Sequence, residues 1–388
     1  MRQYLPYGRQ SINQDDIDAV VAVLQSDWLT QGPMVEQFEQ AIANYCGVKY
    51  AVAVSNATAA LHLACLAIGL GSGDRLWTSP NTFVASANCA RYCGADVDFV
   101  DIDAQTYNLS LSKLEQKLSK AAQSNTLPKV ILPVHFAGQS CDMKPIAALA
   151  KEYGIRVIED ASHALGGSYD GHKIGTCQFS DMSIFSFHPV KMITTGEGGM
   201  VVTDRLDLYQ NLKQLRSHGI VQDPNLMSKE NPEPWDYEQQ ALGFNYRLTD
   251  IQAALGLSQL QRLDQFVARR QEIFDRYQNR LQGLPIQQPI SQPQSQSSHH
   301  LYVIRLKLEK ISRSKREIFS LLREQGIGVQ IHYIPVHTQP YYRQLGFNWG
   351  DLPESEAYYQ EAISLPIHYD LSDAEQDRII QTLKEVIL

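Results

Sequence analysis

Apolar positions change period along the chain, and the changes mark its elements. Residues 15–25 carry apolar side chains at helical spacing behind Asn13, which predicts an amphipathic helix with a side-chain cap. Residues 34–46 predict a second helix, closed by Gly47. From residue 50 short apolar runs alternate with helical segments. Strands are predicted at 50–54, 75–79, 97–101, 129–134, 155–159, 183–187 and 199–203, and helices at 57–70, 82–93 and 145–153. Several of the strands are near-continuous apolar runs, the mark of strands buried on both faces. The alternation predicts an α/β fold whose sheet is mainly parallel.

The pattern then loosens. Residues 250–281 predict one long amphipathic helix, and 283–299, rich in Gln, Pro and Ser, a linker or surface loop. A strand at 301–308, a helix at 314–325, a strand at 328–332 and a helix at 375–386 complete a smaller α/β unit. The expected division is a large domain at 1–255, and a connecting helix with a small C-terminal domain at 256–388.

Composition excludes some classes. The chain has 388 residues, 44% of them hydrophobic and 20% charged, which is ordinary for a globular protein. A net charge of −8 gives no electrostatic footprint for nucleic acid. No apolar run reaches membrane-spanning length, and the start, Met1 to Tyr7, lacks the apolar run of a secretory leader. Six cysteines without a C-x-x-C pair read as reduced thiols of a cytoplasmic protein. Cys89 and Cys93, four apart on a predicted helix, read as core-facing small residues and not as a metal site.

Candidate chemistry centres on Lys191. The strand at 183–187 leads into this lysine, the glycine turn Gly196-Glu197-Gly198-Gly199 follows, and the next strand starts at once. A lysine between buried strands is costly unless it is neutral or covalently used. A desolvated amine can form a Schiff base with an aldehyde cofactor such as pyridoxal phosphate (PLP). The strand at 155–159 runs into Asp160, and PLP needs a carboxylate beside its ring nitrogen. His163 is placed to contact the ring or its phenolic oxygen, and Ser162 to cap the helix that follows. Ser55-Asn56-Ala57-Thr58 joins a strand end to a helix start, where free N–H groups and the Thr58 hydroxyl suit a phosphate. Ser186 can reach the same phosphate, and Phe83 can stack on the ring. Each feature has a plainer alternative: a surface lysine, a strand-end acid, an ordinary helix cap, a core aromatic.

Taken together, Leu29-Thr30-Gln31-Gly32, Ser55 to Thr58, Glu159 to Gly166, Phe185 to Lys191 with Gly196 to Gly199, and Gly243-Phe244-Asn245-Tyr246-Arg247-Leu248-Thr249-Asp250 resemble the DegT/DnrJ/EryC1/StrS sugar aminotransferases nearly end to end. The resemblance implies the fold-type I architecture of PLP-dependent aminotransferases. It implies that Lys191 holds PLP and moves the proton, that Asp160 pairs with the ring nitrogen, and that Ala57, Thr58 and Ser186 bind the phosphate. It implies a homodimer in which Asn245 reaches the phosphate of the partner's site. Pro189 and Gly196 depart from residues common in relatives without removing a functional group. Within the family, the resemblance is to the pseudaminic acid branch. That implies transfer of the amino group of L-glutamate to C4 of UDP-2-acetamido-2,6-dideoxy-β-L-arabino-hex-4-ulose, with Tyr7, Trp28, Thr30, Gln330, His332 and Tyr333 as substrate contacts. Other GDP- or dTDP-linked keto sugars stay open as substrates. A related dehydratase class carries histidine in place of Lys191, and a PLP-binding sensor would need no complete Lys–Asp–Ser set.

Overall fold

A computed structural model describes residues 4–388; the first three residues, and the part of the leader reading that rests on them, lie outside the described residues. Asn13 opens α1 (Gln14–Leu24) with a capping box: its side chain accepts the Asp16 N–H, and the Asp16 carboxylate accepts the Asn13 N–H. Helix α2 (Pro33–Cys46) has no side-chain cap from its own neighbours. Asp250, remote in sequence, accepts the N–H groups of Gly32 at 2.7 Å and Met34 at 2.9 Å instead. Gly47, at φ 73°, ends the helix.

Strands and helices then alternate: β1 (Tyr50–Val54), α3 (Ala57–Ala67), β2 (Arg75–Thr78), α4 (Ala85–Tyr92), β3 (Asp96–Phe99), α5 (Leu111–Ser124), β4 (Val130–Leu132), α6 (Met143–Glu152) and β5 (Arg156–Asp160). The hairpin β6 (Ser168–Tyr169) and β7 (His172–Lys173) precedes β8 (Met182–Ser186), β9 (Gly199–Thr203) and α7 (Leu206–Arg216). Seven strands form one sheet in the order β1-β9-β8-β5-β4-β2-β3. The pairs β2–β3, β2–β4, β4–β5 and β5–β8 are parallel, and β9 runs antiparallel to both neighbours. The sheet is therefore mainly parallel, as the strand pattern predicts. Helix α5 is absent from the sequence prediction. Its buried stripe is only Leu114, Leu118 and Ala121 in an otherwise polar stretch, too thin a signal to stand out.

Beyond the short pair β10 (Ile220–Val221) and β11 (Glu238–Gln239), the structure corrects three expectations. The predicted helix over 250–281 is two helices, α8 (Asp250–Leu260) and α9 (Leu263–Arg280). Tighter bonds from Gln261 N–H to the Ser258 carbonyl and from Arg262 N–H to the Gln259 carbonyl close the first. The break serves a buried acid: Ser258, Gln259 and Arg262 all direct donors at Asp16, which is 0% exposed.

The expected linker over 283–299 is built into the structure. It contains β12 (Ile286–Gln287) and β13 (Ser295–Gln296), which pair with β14 (Tyr302–Leu306) and β6, and residues 297–300 are buried. Polar composition misled here because Arg270, itself buried, donates to the carbonyls of His299 and His300.

The predicted strand over 328–332 forms no ladder. Gly328 N–H bonds the Leu5 carbonyl, Gln330 bonds Ser364, and the partner changes within two residues. Helices α10 (Lys315–Glu324), α11 (Pro340–Arg343) and α12 (Pro353–Glu361), strand β15 (Ala362–Leu365) and helix α13 (Asp373–Ile387) complete the chain. The sheet β12-β14-β15 has its own apolar core, which draws on α10 and α13. Helix α9 enters both cores, with Leu263, Phe266 and Val267 in the first and Ile273, Phe274 and Tyr277 in the second.

Candidate active site

A cavity of about 800 Å³ opens where β5 and β8 end and α3 begins. That is the size of a small-molecule site, at the strand ends where open α/β sheets bind ligands. Of the residues singled out from sequence, Ala57, Thr58, Phe83, Asp160, His163, Ser186, Lys191, Tyr7, His332 and Tyr333 line it.

Strand alternation sets the acids at the end of β5. Glu159 and Asp160 are neighbours, so they point to opposite faces. Glu159 meets buried His135, whose Nε2 lies 2.7 Å from a carboxylate oxygen. His135 Nδ1 accepts the Cys141 N–H at 3.1 Å, which leaves the ring proton on Nε2 to donate to Glu159. Asp160 faces the cavity. It accepts from the Ser86 hydroxyl at 2.6 Å and the Ser162 N–H at 3.1 Å, and Thr82 contacts Ser86 in turn at 2.7 Å. Hydrogen bonds of this kind fix the orientation of a carboxylate.

Lys191 lies in the loop between β8 and β9. The loop base is pinned: Phe187 N–H bonds the Gly198 carbonyl, and the Phe187 carbonyl accepts from both Thr195 N–H and the Thr194 hydroxyl. Buried Met192 and Ile193 anchor the segment just beyond the lysine. Lys191 keeps partial exposure to the cavity, but protein surrounds its amine. Burial lowers its pKa to about 8 from the usual 10.5, against the opposing pull of Asp160. Near neutral pH a useful fraction of this amine is unprotonated.

The start of α3 presents free backbone donors to the cavity. Asn56 caps the helix by accepting the Ala59 N–H at 2.8 Å, which leaves the N–H groups of Ala57 and Thr58 without an acceptor among the described residues. Gly199 permits this arrangement. A Cβ there would lie 2.6–2.7 Å from the backbone of Asn56 and Ala57, so only glycine lets β9 sit against the helix start. Ser186 stands opposite Gly199 in the β8–β9 register, which sets its hydroxyl beside the same helix end.

The facing wall is aromatic and imidazole-rich. The Tyr333 hydroxyl lies 3.1 Å from His163 Nε2, while buried His163 Nδ1 has no partner among the described residues. His163 packs 4.4 Å from His300, between ring centroids. Burial first, then Lys191 and His332, holds the His163 pKa well below its ordinary value. His332 Nδ1 contacts the Ser364 hydroxyl at 2.8 Å, and burial lowers its pKa to about 3. Tyr7 packs on His332, and Phe83, 58% exposed, borders the opening near Tyr333.

Four predicted residues lie outside the lining. Trp28 is 56% exposed, Thr30 bridges to Thr249, exposed Asn245 bridges through its backbone to Ser217, and Gln330 is exposed beside Ser364. Sequence reasoning missed Ser86 and Thr82 as supports of Asp160, and His62, Tyr246 and Glu197 as lining residues. The four-residue spacing of Thr82 and Ser86 was the one available signal.

The donor set fits PLP: an amine of lowered pKa, an oriented carboxylate, unpaired N–H groups at a helix start, and an orphaned His163 Nδ1. Comparison with known proteins agrees. The model of the DegT/DnrJ/EryC1/StrS aminotransferase family matches residues 10–384. The chain is similar to the Bacillus subtilis spore coat polysaccharide biosynthesis protein SpsC, at 39% identity over 99% of this chain and 97% of that one. It is similar at 40% identity, over 99% of this chain and 97% of that one, to a Campylobacter jejuni UDP-4-amino-4,6-dideoxy-N-acetyl-beta-L-altrosamine transaminase. The solved structure of Helicobacter pylori PseC, an aminotransferase of pseudaminic acid biosynthesis, superposes with a TM-score of 0.91 at 32% identity, over 99% of each chain.

Proposed function

The chain belongs to the DegT/DnrJ/EryC1/StrS aminotransferase family, and on that premise we propose that it moves the amino group of L-glutamate to C4 of UDP-2-acetamido-2,6-dideoxy-β-L-arabino-hex-4-ulose. That it is a PLP-dependent sugar aminotransferase follows from the family and its relatives. The bound cofactor supplies an electron sink and a carrier for the amino group. The chain supplies the rest. Lys191 would hold the cofactor, and its neutral amine takes a proton from the substrate carbon and returns it. Asp160, fixed by Ser86 and Ser162, would keep the ring nitrogen protonated. Ala57, Thr58 and Ser186 would bind the phosphate, Phe83 would cover the ring, and His163, held by Tyr333, would offer its free Nδ1 to the ring's polar edge. The observation that carries the reading is the lowered-pKa Lys191 facing Asp160 in one cavity.

The sugar rests on the relatives' names and on the facing wall. Tyr7, His332 and Tyr333 present stacking surfaces and hydrogen-bonding groups, with both imidazole environments neutral, which suits an N-acetylated sugar. Competition between the UDP sugar and a GDP- or dTDP-linked 4-keto-6-deoxyhexose tests it. The UDP compound should win on kcat/KM; a GDP or dTDP winner would leave the aminotransferase and remove this substrate.

A homodimer is part of the proposal. Among the described lining residues Lys191 is the only lysine or arginine, yet glutamate and a nucleotide diphosphate bring several negative charges. Asn245, Trp28 and Thr30 sit on one exposed stretch, joined through the Thr30–Thr249 bridge, and would reach a partner's site from there. Mixing inactive Lys191→Ala and Asn245→Asp subunits should restore part of the activity in hybrids. Hybrids without activity would end the cross-subunit role. Gln330, next to His332, is kept as a substrate contact from the rim. The division into 1–255 and 256–388 also stands as a proposal, supported by the separate core of the second sheet. No helix of the described residues is long and apolar enough to cross a membrane. A cytoplasmic location is proposed from the reduced cysteines.

A further inference from the structure

The strand that leads into the start of α3 lies at an edge of the sheet. β1 ends the order β1-β9-β8-β5-β4-β2-β3, so the outward N–H and C=O groups of its last residues have no strand of that sheet beside them. At Ala53 a buried ion pair stands in for the missing neighbour. Glu39, from α2, accepts the Ala53 N–H at 2.8 Å. Arg216, the last residue of α7, donates through Nη1 to the Ala53 carbonyl at 2.7 Å and to the Glu39 carboxylate. Glu39 is 7% exposed and Arg216 9%.

Arg216 also acts through its backbone. The last carbonyls of a helix lack partners within it. Those of α7 accept from the segment that follows Gly243: the Leu215 carbonyl takes the Phe244 N–H at 2.7 Å, and the Arg216 carbonyl takes the Tyr246 N–H at 3.1 Å. The Tyr246 carbonyl in turn accepts the Ser55 N–H at 2.8 Å, and Arg247 bridges to Val54. Just past Ser55 stand the free N–H groups of Ala57 and Thr58, and Tyr246 lines the cavity. One residue thus holds β1 at Ala53 by its side chain and at Ser55 through Tyr246. Stability is a weak reason for such a pair. Apolar residues of similar volume often match a buried ion pair, and Arg216 Nε has no partner among the described residues.

We propose, on the reading that the start of α3 takes the cofactor phosphate, that Arg216 is a positioning residue for that phosphate, with Glu39 as its counter-charge. The pair fixes the end of β1 against the segment 244–247, and so sets the direction in which the Ala57 and Thr58 N–H groups point. Hydrogen bonds weaken steeply as their angle closes, so a shift at Ala53 and Ser55 is felt at the phosphate. It is felt little at the ring, because Asp160 ends β5 and Lys191 follows β8, away from this edge.

The test uses the full-length protein, freed of cofactor and titrated with pyridoxamine phosphate and with pyridoxamine, which lacks the phosphate. Glu39→Met combined with Arg216→Met removes both charges together, which spares the fold an unpaired buried charge. Affinity for pyridoxamine phosphate should fall at least about tenfold, as for one lost hydrogen bond to a charged group, while affinity for pyridoxamine stays within about twofold. Arg216→Lys keeps a cation and a donor and should recover most of the loss. If the unaltered protein prefers the phosphorylated compound and the double variant keeps that preference in full, the positioning role falls and the phosphate reading stands. If the unaltered protein shows no preference, both fall. Amide hydrogen exchange on the unaltered protein needs no variant: the Ala53 N–H, on the edge strand, should exchange as slowly as that of Val201 inside the sheet. Fast exchange at Ala53 would overturn the proposal.

Discussion

The two walls of the cavity are made differently. One is the edge of a hydrogen-bonded sheet: Asp160 ends β5, Ser186 ends β8, and Gly199 opens β9 against α3. The other is irregular backbone. Residues 328–333 form isolated contacts with Leu5 and Ser364, and Tyr7 and His332 are held by packing and single hydrogen bonds. On the proposed function, the first wall would fix the groups whose position controls proton transfer, because rigid elements hold atoms to the tolerance that chemistry requires. The second would offer surface for the substrate, where single contacts tune affinity. Tyr333 joins the walls: its hydroxyl lies 3.1 Å from His163 Nε2, and its N–H donates to the Asn81 side chain at 3.2 Å, just past β2.

Substitutions on the sheet wall should lower turnover, and those on the loop wall should move KM. Lys191→Arg is the strongest probe. It keeps the charge but loses the usable amine, so kcat should fall at least about 1,000-fold while the far-ultraviolet spectrum stays native. Borohydride labelling of the wild-type enzyme should map to the Lys191 peptide. A label on another lysine would refute the assignment.

Asp160→Asn comes next, with kcat reduced about 100-fold or more. Ser86→Ala acts through Asp160 and should cost about tenfold, the worth of one hydrogen bond to a charged group. Its positioning role shows as a shifted absorbance of the bound cofactor, which a merely structural substitution would leave in place.

Tyr333→Phe tests the contact between the walls. Losing one hydrogen bond should change KM about fivefold and kcat less. If kcat falls as far as in Asp160→Asn, the division of labour between the walls is wrong.

The smallest effect is on stability. His332 titrates near 3 when folded and near 6.5 when unfolded, so below pH 6.5 the unfolded chain binds the extra proton. Stability contributed by its neutral, buried state is present above pH 6.5 and is lost as pH falls towards 3. Tm should drop across that window, and His332→Gln should flatten the drop. An unchanged slope in the variant would remove His332 from the account.

Local pattern determined much of this protein. The alternation after residue 50 named every strand of the large sheet, because buried parallel strands must be apolar throughout. Asn13 and Gly47 marked helix ends, since caps are local chemistry. Lys191, Asp160 and the Ser55–Thr58 turn stood out because a strand end, an acid and a helix start each leave a signature within a few residues. Tertiary structure alone decided the rest. The break between α8 and α9 answers to Asp16, far away in the chain. The buried course of 297–300 depends on Arg270, and Ser86 acquires its role only when α4 packs beside the end of β5. The loop wall was the least legible part, because its residues owe their positions to single long-range contacts, and a contact between distant segments leaves no periodicity in either one.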